Sequence, residues 1–88
     1  MRYLVAYDIR CPKRLRRVAR LLNEYGIRIE KSVFVCEIPP QKARNLGQGL
    51  FAVSAPEDSI LFFPLPTSVR CIPIRGELCV VEEDIGIY

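Results

Sequence analysis

The sequence predicts an α+β fold: a small antiparallel sheet with two helices packed on one of its faces. Three observations carry that expectation. The opening segment Arg2 to Ile9 reads as a strand, an apolar run that ends at Asp8. The segment after Pro12 places Leu15, Val18, Ala19, Leu22 and Tyr25 at helical spacing. From Ile27 onward the chain returns to β-branched and aromatic residues, and two further strand-like runs follow a weaker helical stretch.

Each element has its own reason. In the first strand Tyr3, Val5 and Tyr7 share one face, while Leu4, Ala6 and Asp8 share the other. Both faces are largely apolar, so both should be covered. Pro12 suits the first turn of a helix, where a missing N–H is harmless, and Gly26 supplies the stop. The polar side of that helix carries Lys13, Arg14, Arg16, Arg17 and Arg20, with no acidic residue before Glu24. Ile27 to Ile38 reads as one long strand, alternating at first and buried on both faces from Val33 on. Pro39-Pro40 ends it. Gln41 to Ala55 is a second helix, weakened by Gly47 and Gly49. Asp58 to Leu65 is a third strand, and Val69 to Ile74 a fourth, limited to an edge or an end by Pro73. Gly76 turns the chain, and Leu78 to Val81 and Ile85 to Tyr88 add short strand segments.

The order approximates β-α-β-β-α-β with a β tail. That is a ferredoxin-like βαββαβ sandwich with an extra C-terminal strand, forming a single domain over residues 1–88. Two helices cover only one face of such a sheet. A homodimer would cover the other, with the C-terminal strand free to pair with a partner's sheet edge.

Composition narrows the chemistry. The 88 residues suffice for one domain, and half of them are hydrophobic. No apolar run is long enough to span a bilayer and no cleavable signal pattern opens the chain, so a cytoplasmic protein with no membrane partner is expected. The net charge of +3 says little, but its distribution says more. Arg10 to Arg20 holds six cationic residues and no acidic one, whereas Glu77 to Asp84 holds four acidic residues and no cationic one. There is no histidine, which removes every mechanism with a histidine base. Cys11, Cys36, Cys71 and Cys79 include no C-x-x-C pair, which argues against structural zinc. Cys36 and Cys71 read as small buried hydrophobes.

Asp8 is the candidate for chemistry. A lone carboxylate at the tip of a buried strand, before a cationic helix start, suits a divalent metal or a phosphodiester. The competing reading is an Asp that caps its own turn. Arg10, Lys13, Arg14, Arg16, Arg17 and Arg20 form the candidate nucleic-acid-binding set, sequence-independent and salt-sensitive. Tyr7 and Phe34 are candidates for stacking on an unpaired base, weighed against places in the core. No glycine-rich phosphate loop supports a small-ligand regulatory domain.

The run Tyr3-Leu4-Val5-Ala6-Tyr7-Asp8-Ile9, followed by Lys13-Arg14, Tyr25-Gly26, Lys31-Ser32-Val33-Phe34-Val35-Cys36-Glu37 and Asp58-Ser59-Ile60, resembles the Cas2 family of small CRISPR-associated adaptation proteins. The resemblance spans roughly residues 1 to 75, whereas Gly76 to Tyr88 matches only loosely. It implies ferredoxin-like protomers in a homodimer, acting in spacer acquisition beside the CRISPR integrase. It also implies a metal-dependent endonuclease activity on single-stranded RNA or double-stranded DNA, with Mg2+ as cofactor. The alternative role it implies is a non-catalytic dimer that spaces the integrase. The family's strand-end aspartate, its proposed catalytic residue and metal ligand, matches Asp8. Ser32 and Phe34 match positions near that site. One Asp per chain is too few for a tight metal site, but a two-fold axis would bring Asp8 and its symmetry mate together.

Overall fold

The computed structural model describes residues 1–66, 68 and 72–76. Its elements are β1 (Arg2–Asp8), α1 (Pro12–Asn23), β2 (Ile27–Glu30), β3 (Val33–Glu37), α2 (Pro40–Val53) and β4 (Ser59–Leu65). The strands form one sheet in the order β2-β3-β1-β4, and every pairing is antiparallel. This is the ferredoxin-like arrangement expected from the sequence.

Two expectations are corrected. Residues 27–38 are not a single strand but a hairpin, β2 and β3, with Lys31 and Ser32 in the turn. The pairing steps between Arg28 and Glu30, and Ile29 at this irregularity is buried against Val35. This hairpin supplies the strand that the ferredoxin-like order requires before α2. Of the proposed strand over 69–74, residues 69–71 lie outside the described residues; Ile72 and Pro73 are not in a strand and Ile74 sits in a bend. The segments 78–81 and 85–88 also lie outside the described residues. Gly76 does turn the chain, with φ of 85°.

The helices cover one sheet face. Tyr3, Val5 and Tyr7 of β1 and Phe34 and Cys36 of β3 meet Val18 and Leu22 of α1 and Ala43, Leu46 and Leu50 of α2 in one core. Each fully buried side chain of this size is stabilising by roughly 1.5–3 kcal/mol. Cys36 is one of these small hydrophobes, a free thiol whose pKa burial pushes up to about 11. Gly26 matters here for space rather than for a left-handed turn. A Cβ on it would collide with the Val35 carbonyl oxygen and lie 2.6 Å from the Cys36 sulfur. The chain leaving α1 therefore passes tightly over β3, which seats β2 at the sheet edge.

The second face is apolar too. The register aligns Ile27, Val35, Leu4 and Phe63 in one row across the four strands, and Val33, Ala6 and Leu61 in the next. Among the described residues no helix packs on this side. Ile29 and Val35 are buried among Ile27 and Val33, but Leu61 and Phe63 remain 53 % and 44 % exposed. Asp8 follows Leu4 and Ala6 on that same face, opposite Ser59 of β4.

Candidate phosphodiester site at the end of β1

β1 ends at Asp8, and the chain turns through Ile9 and Arg10 into α1. Ile9 is buried and anchors the turn, leaving Asp8 and Arg10 exposed on either side of it. The result is a cleft of about 640 Å³ lined by Asp8, Arg10, Cys11, Arg14, Glu57, Asp58 and Ser59. Asp8 does not cap its own turn. Among the described residues its carboxylate takes part in no hydrogen bond or ion pair.

The other two carboxylates of the cleft, Glu57 and Asp58, are paired with Arg14. Arg14 donates through Nε to Asp58 Oδ2 at 2.8 Å and through Nη2 to Asp58 Oδ1 at 3.2 Å, while Nη2 also reaches Glu57 Oε2 at 3.1 Å. This two-pronged geometry is the strong form of the arginine–carboxylate pair. The Ala55 N–H donates to Asp58 Oδ2 at 2.9 Å. The Asp58 side chain is only 2 % exposed. Its hydrogen bonds from Arg14, and secondarily the Ala55 amide, hold its carboxyl below the usual range against the opposing effect of burial. Cys11 sits at the N-cap of α1 without forming a side-chain cap bond. The backbone amides of Arg14 and Lys13 nevertheless lower its thiol pKa.

The expected binding residues separate into groups. Lys13, Arg16, Arg17 and Arg20 are exposed and recur along one side of α1. Among the described residues none of them is in an ion pair. Arg10 is exposed at the cleft mouth. Arg14 stands apart from them, its guanidinium paired with Asp58 and Glu57. Ser32 lies in the β2–β3 turn, where its carbonyl accepts the Tyr7 N–H at 3.0 Å. It is therefore next to the end of β1 but does not line the cleft. Phe34 is fully buried on the helix-covered face, beside Tyr7 with ring centroids 6.3 Å apart. Tyr7 is 5 % exposed and its hydroxyl donates to the Lys31 carbonyl at 3.2 Å. Both aromatic rings are core, the reading that the sequence favoured over stacking on a base.

Sequence reading leaves Glu57, Asp58 and Cys11 out of the site. Asp58 shows in the sequence as an acidic residue opening a strand and within the segment Asp58-Ser59-Ile60 of the family resemblance, but its partner Arg14 is 44 residues away.

The fold agrees with the comparisons. The family described as CRISPR associated protein Cas2 matches residues 1–70. The chain is 42% identical over 91 residues to the CRISPR-associated endoribonuclease Cas2 1 of Chloroflexus aurantiacus, covering 100% of this chain and 98% of the relative. It is 39% identical over 64 residues to the CRISPR-associated endoribonuclease Cas2 3 of Synechocystis sp., covering 72% and 70%. The crystal structure of Streptococcus pyogenes Cas2 at pH 6.5 superposes with a TM-score of 0.72 at 36% identity, covering 77% of this chain and 89% of that one. A ferredoxin-like α+β protein with a strand-end carboxylate is the class that the fold and the cleft define. Within it, the chain belongs to the Cas2 family.

Proposed function

We propose that this chain acts in CRISPR adaptation as a homodimer that binds nucleic acid along α1 and cleaves phosphodiester bonds at Asp8 with a divalent metal. One observation carries the reading. Asp8 is the uncommitted carboxylate of the cleft, and it lies on the sheet face that the helices leave open. A second copy docked on Leu4, Leu61 and Phe63 across a two-fold axis would bring a second Asp8 toward the first.

The residues suit a hard cation of the magnesium kind. Asp58 and Glu57 are engaged by Arg14, so among the described residues lining the cleft Asp8 is the one free carboxylate, and Mg2+ keeps several waters when so few protein oxygens bind it. When bound, the metal would polarise the phosphate and lower the pKa of a bound water. Asp8 would hold it, and Lys13, Arg16, Arg17 and Arg20, with Arg10 at the cleft mouth, would hold the flanking phosphates without reading sequence. The relatives named as endoribonucleases support single-stranded RNA as the first substrate to test, with duplex DNA as the second. The integrase is the partner expected from the resemblance to the adaptation family.

A second reading has its own support. Among the described residues of one protomer, no group of three or more side chains could hold a metal. A basic dimer that bridges nucleic acid beside the integrase, and does no chemistry, needs no such group. Labelled RNA and duplex DNA incubated with and without Mg2+ separate the two, with Asp8→Asn purified in parallel to expose contaminating nuclease. The catalytic reading expects Mg2+-dependent cleavage by the wild type, at least 100-fold slower in Asp8→Asn, roughly the contribution of one catalytic group. Equal rates in both proteins, with binding retained, would leave the architectural role.

A further inference from the structure

Phe51 is the largest apolar side chain of α2, yet it is 84 % exposed. Single exposed apolar residues are ordinary. This one borders a second groove, about 640 Å³, lined by Gly47, Leu50, Ile60 and Phe62. Gly47 lies one turn before Phe51 on the same side of the helix. Glycine weakens a helix interior relative to alanine. At Gly49 packing gives the reason, because a Cβ would come within 3.0 Å of Leu21 on α1. At Gly47 a Cβ would meet nothing within 4 Å. No internal contact calls for that glycine, and its absent side chain leaves bare backbone facing open space.

Two further observations say what fits there. Neither α1 nor α2 contains an acidic residue, and α2 adds exposed Lys42 and Arg44 to the cations of α1. A helical layer so charged suits a polyanion better than a typical protein partner. Asp58 also lines both this groove and the Asp8 cleft, so the two share a wall.

We infer that the α2–β4 groove is a base-binding subsite, in which an unpaired base of single-stranded RNA, close to the phosphodiester held at Asp8, stacks on Phe51 over the backbone of Gly47. The inference rests on the nucleic-acid reading above and gives it a preference for unpaired strands. Every base has a π-face, so stacking of this kind tolerates any sequence. A duplex keeps its bases stacked inside and gains nothing from the subsite.

The test compares a short labelled RNA with an abasic strand of the same length and phosphate count, by fluorescence anisotropy in chelator. The wild type should prefer the base-bearing strand by about tenfold. Phe51→Ala and Gly47→Ala should lose most of that preference while keeping the affinity for the abasic strand. Phe51→Tyr should keep it. Gly47→Ala should unfold at or above the wild-type temperature, which separates lost binding from lost structure. A preference unchanged in Phe51→Ala and Gly47→Ala overturns the subsite alone, as does a wild type that binds both strands equally. A Phe51→Ala protein that changes oligomeric mass overturns it in favour of an interface between copies. A wild type that binds neither strand overturns both the subsite and the nucleic-acid reading.

Discussion

At the residue scale, the contrast between Asp8 and Asp58 is one of partners. Both carboxylates line one cleft, but Asp58 is enclosed by Arg14 and the Ala55 amide while Asp8 has neither. Arg14 therefore ties the start of α1 to the start of β4 and fixes the wall beside Asp8. The pair has a pH signature. Asp58 has a lower pKa folded than unfolded, so between the two values the unfolded chain binds more protons and stability rises with pH. The contribution is complete above the ordinary carboxylate pKa of about 3.9 and is lost as pH falls through the lower folded value. Unfolding midpoints followed from about pH 5 to about pH 3 should fall more steeply for the wild type than for Asp58→Asn, which starts lower. Parallel curves would mean that the pair is screened out in solution. None of this is visible in the sequence, because Arg14 reads like its four cationic neighbours on α1 until Asp58 is placed beside it.

At the scale of elements, the legible parts were those whose signal is periodic. β1 shows its two faces in Tyr3, Val5 and Tyr7 against Leu4, Ala6 and Asp8. α1 shows its buried side in Val18 and Leu22. α2 forms despite two glycines, because Ala43, Leu46 and Leu50 give it a face to bury. The β2–β3 hairpin was illegible for a specific reason. Its turn is Lys31-Ser32, flanked by Glu30, without the Asn-Gly or Asp-Gly that normally marks a hairpin. The turn is held from outside instead, by the Tyr7 N–H and hydroxyl on the Ser32 and Lys31 carbonyls. Gly26 was legible as a helix stop but not as a point of close approach. Gly26→Ala should destabilise the protein by about 2 kcal/mol, the scale of overpacking against backbone, read as a lower urea midpoint at unchanged slope. A change within a few tenths of a kcal/mol would show that the α1–β2 connection can move away from β3.

For the whole molecule, the question is what covers the open sheet face. The sequence pointed to it through the two-sided apolar pattern of its strands, and the register now names the rows: Ile27, Val35, Leu4 and Phe63, then Val33, Ala6 and Leu61. Asp8 lies at the end of that face, so in the proposed dimer the chemistry and the assembly are one geometry. Without metal, two carboxylates brought together across the axis repel each other. With metal, they share a ligand set. The most direct measurement is thermal unfolding of the wild type and Asp8→Asn, each with Mg2+ and with chelator. The account predicts that Mg2+ raises the wild-type midpoint and leaves that of Asp8→Asn unchanged, and that in chelator the variant is at least as stable as the wild type. Equal responses of the two proteins to Mg2+ would contradict it.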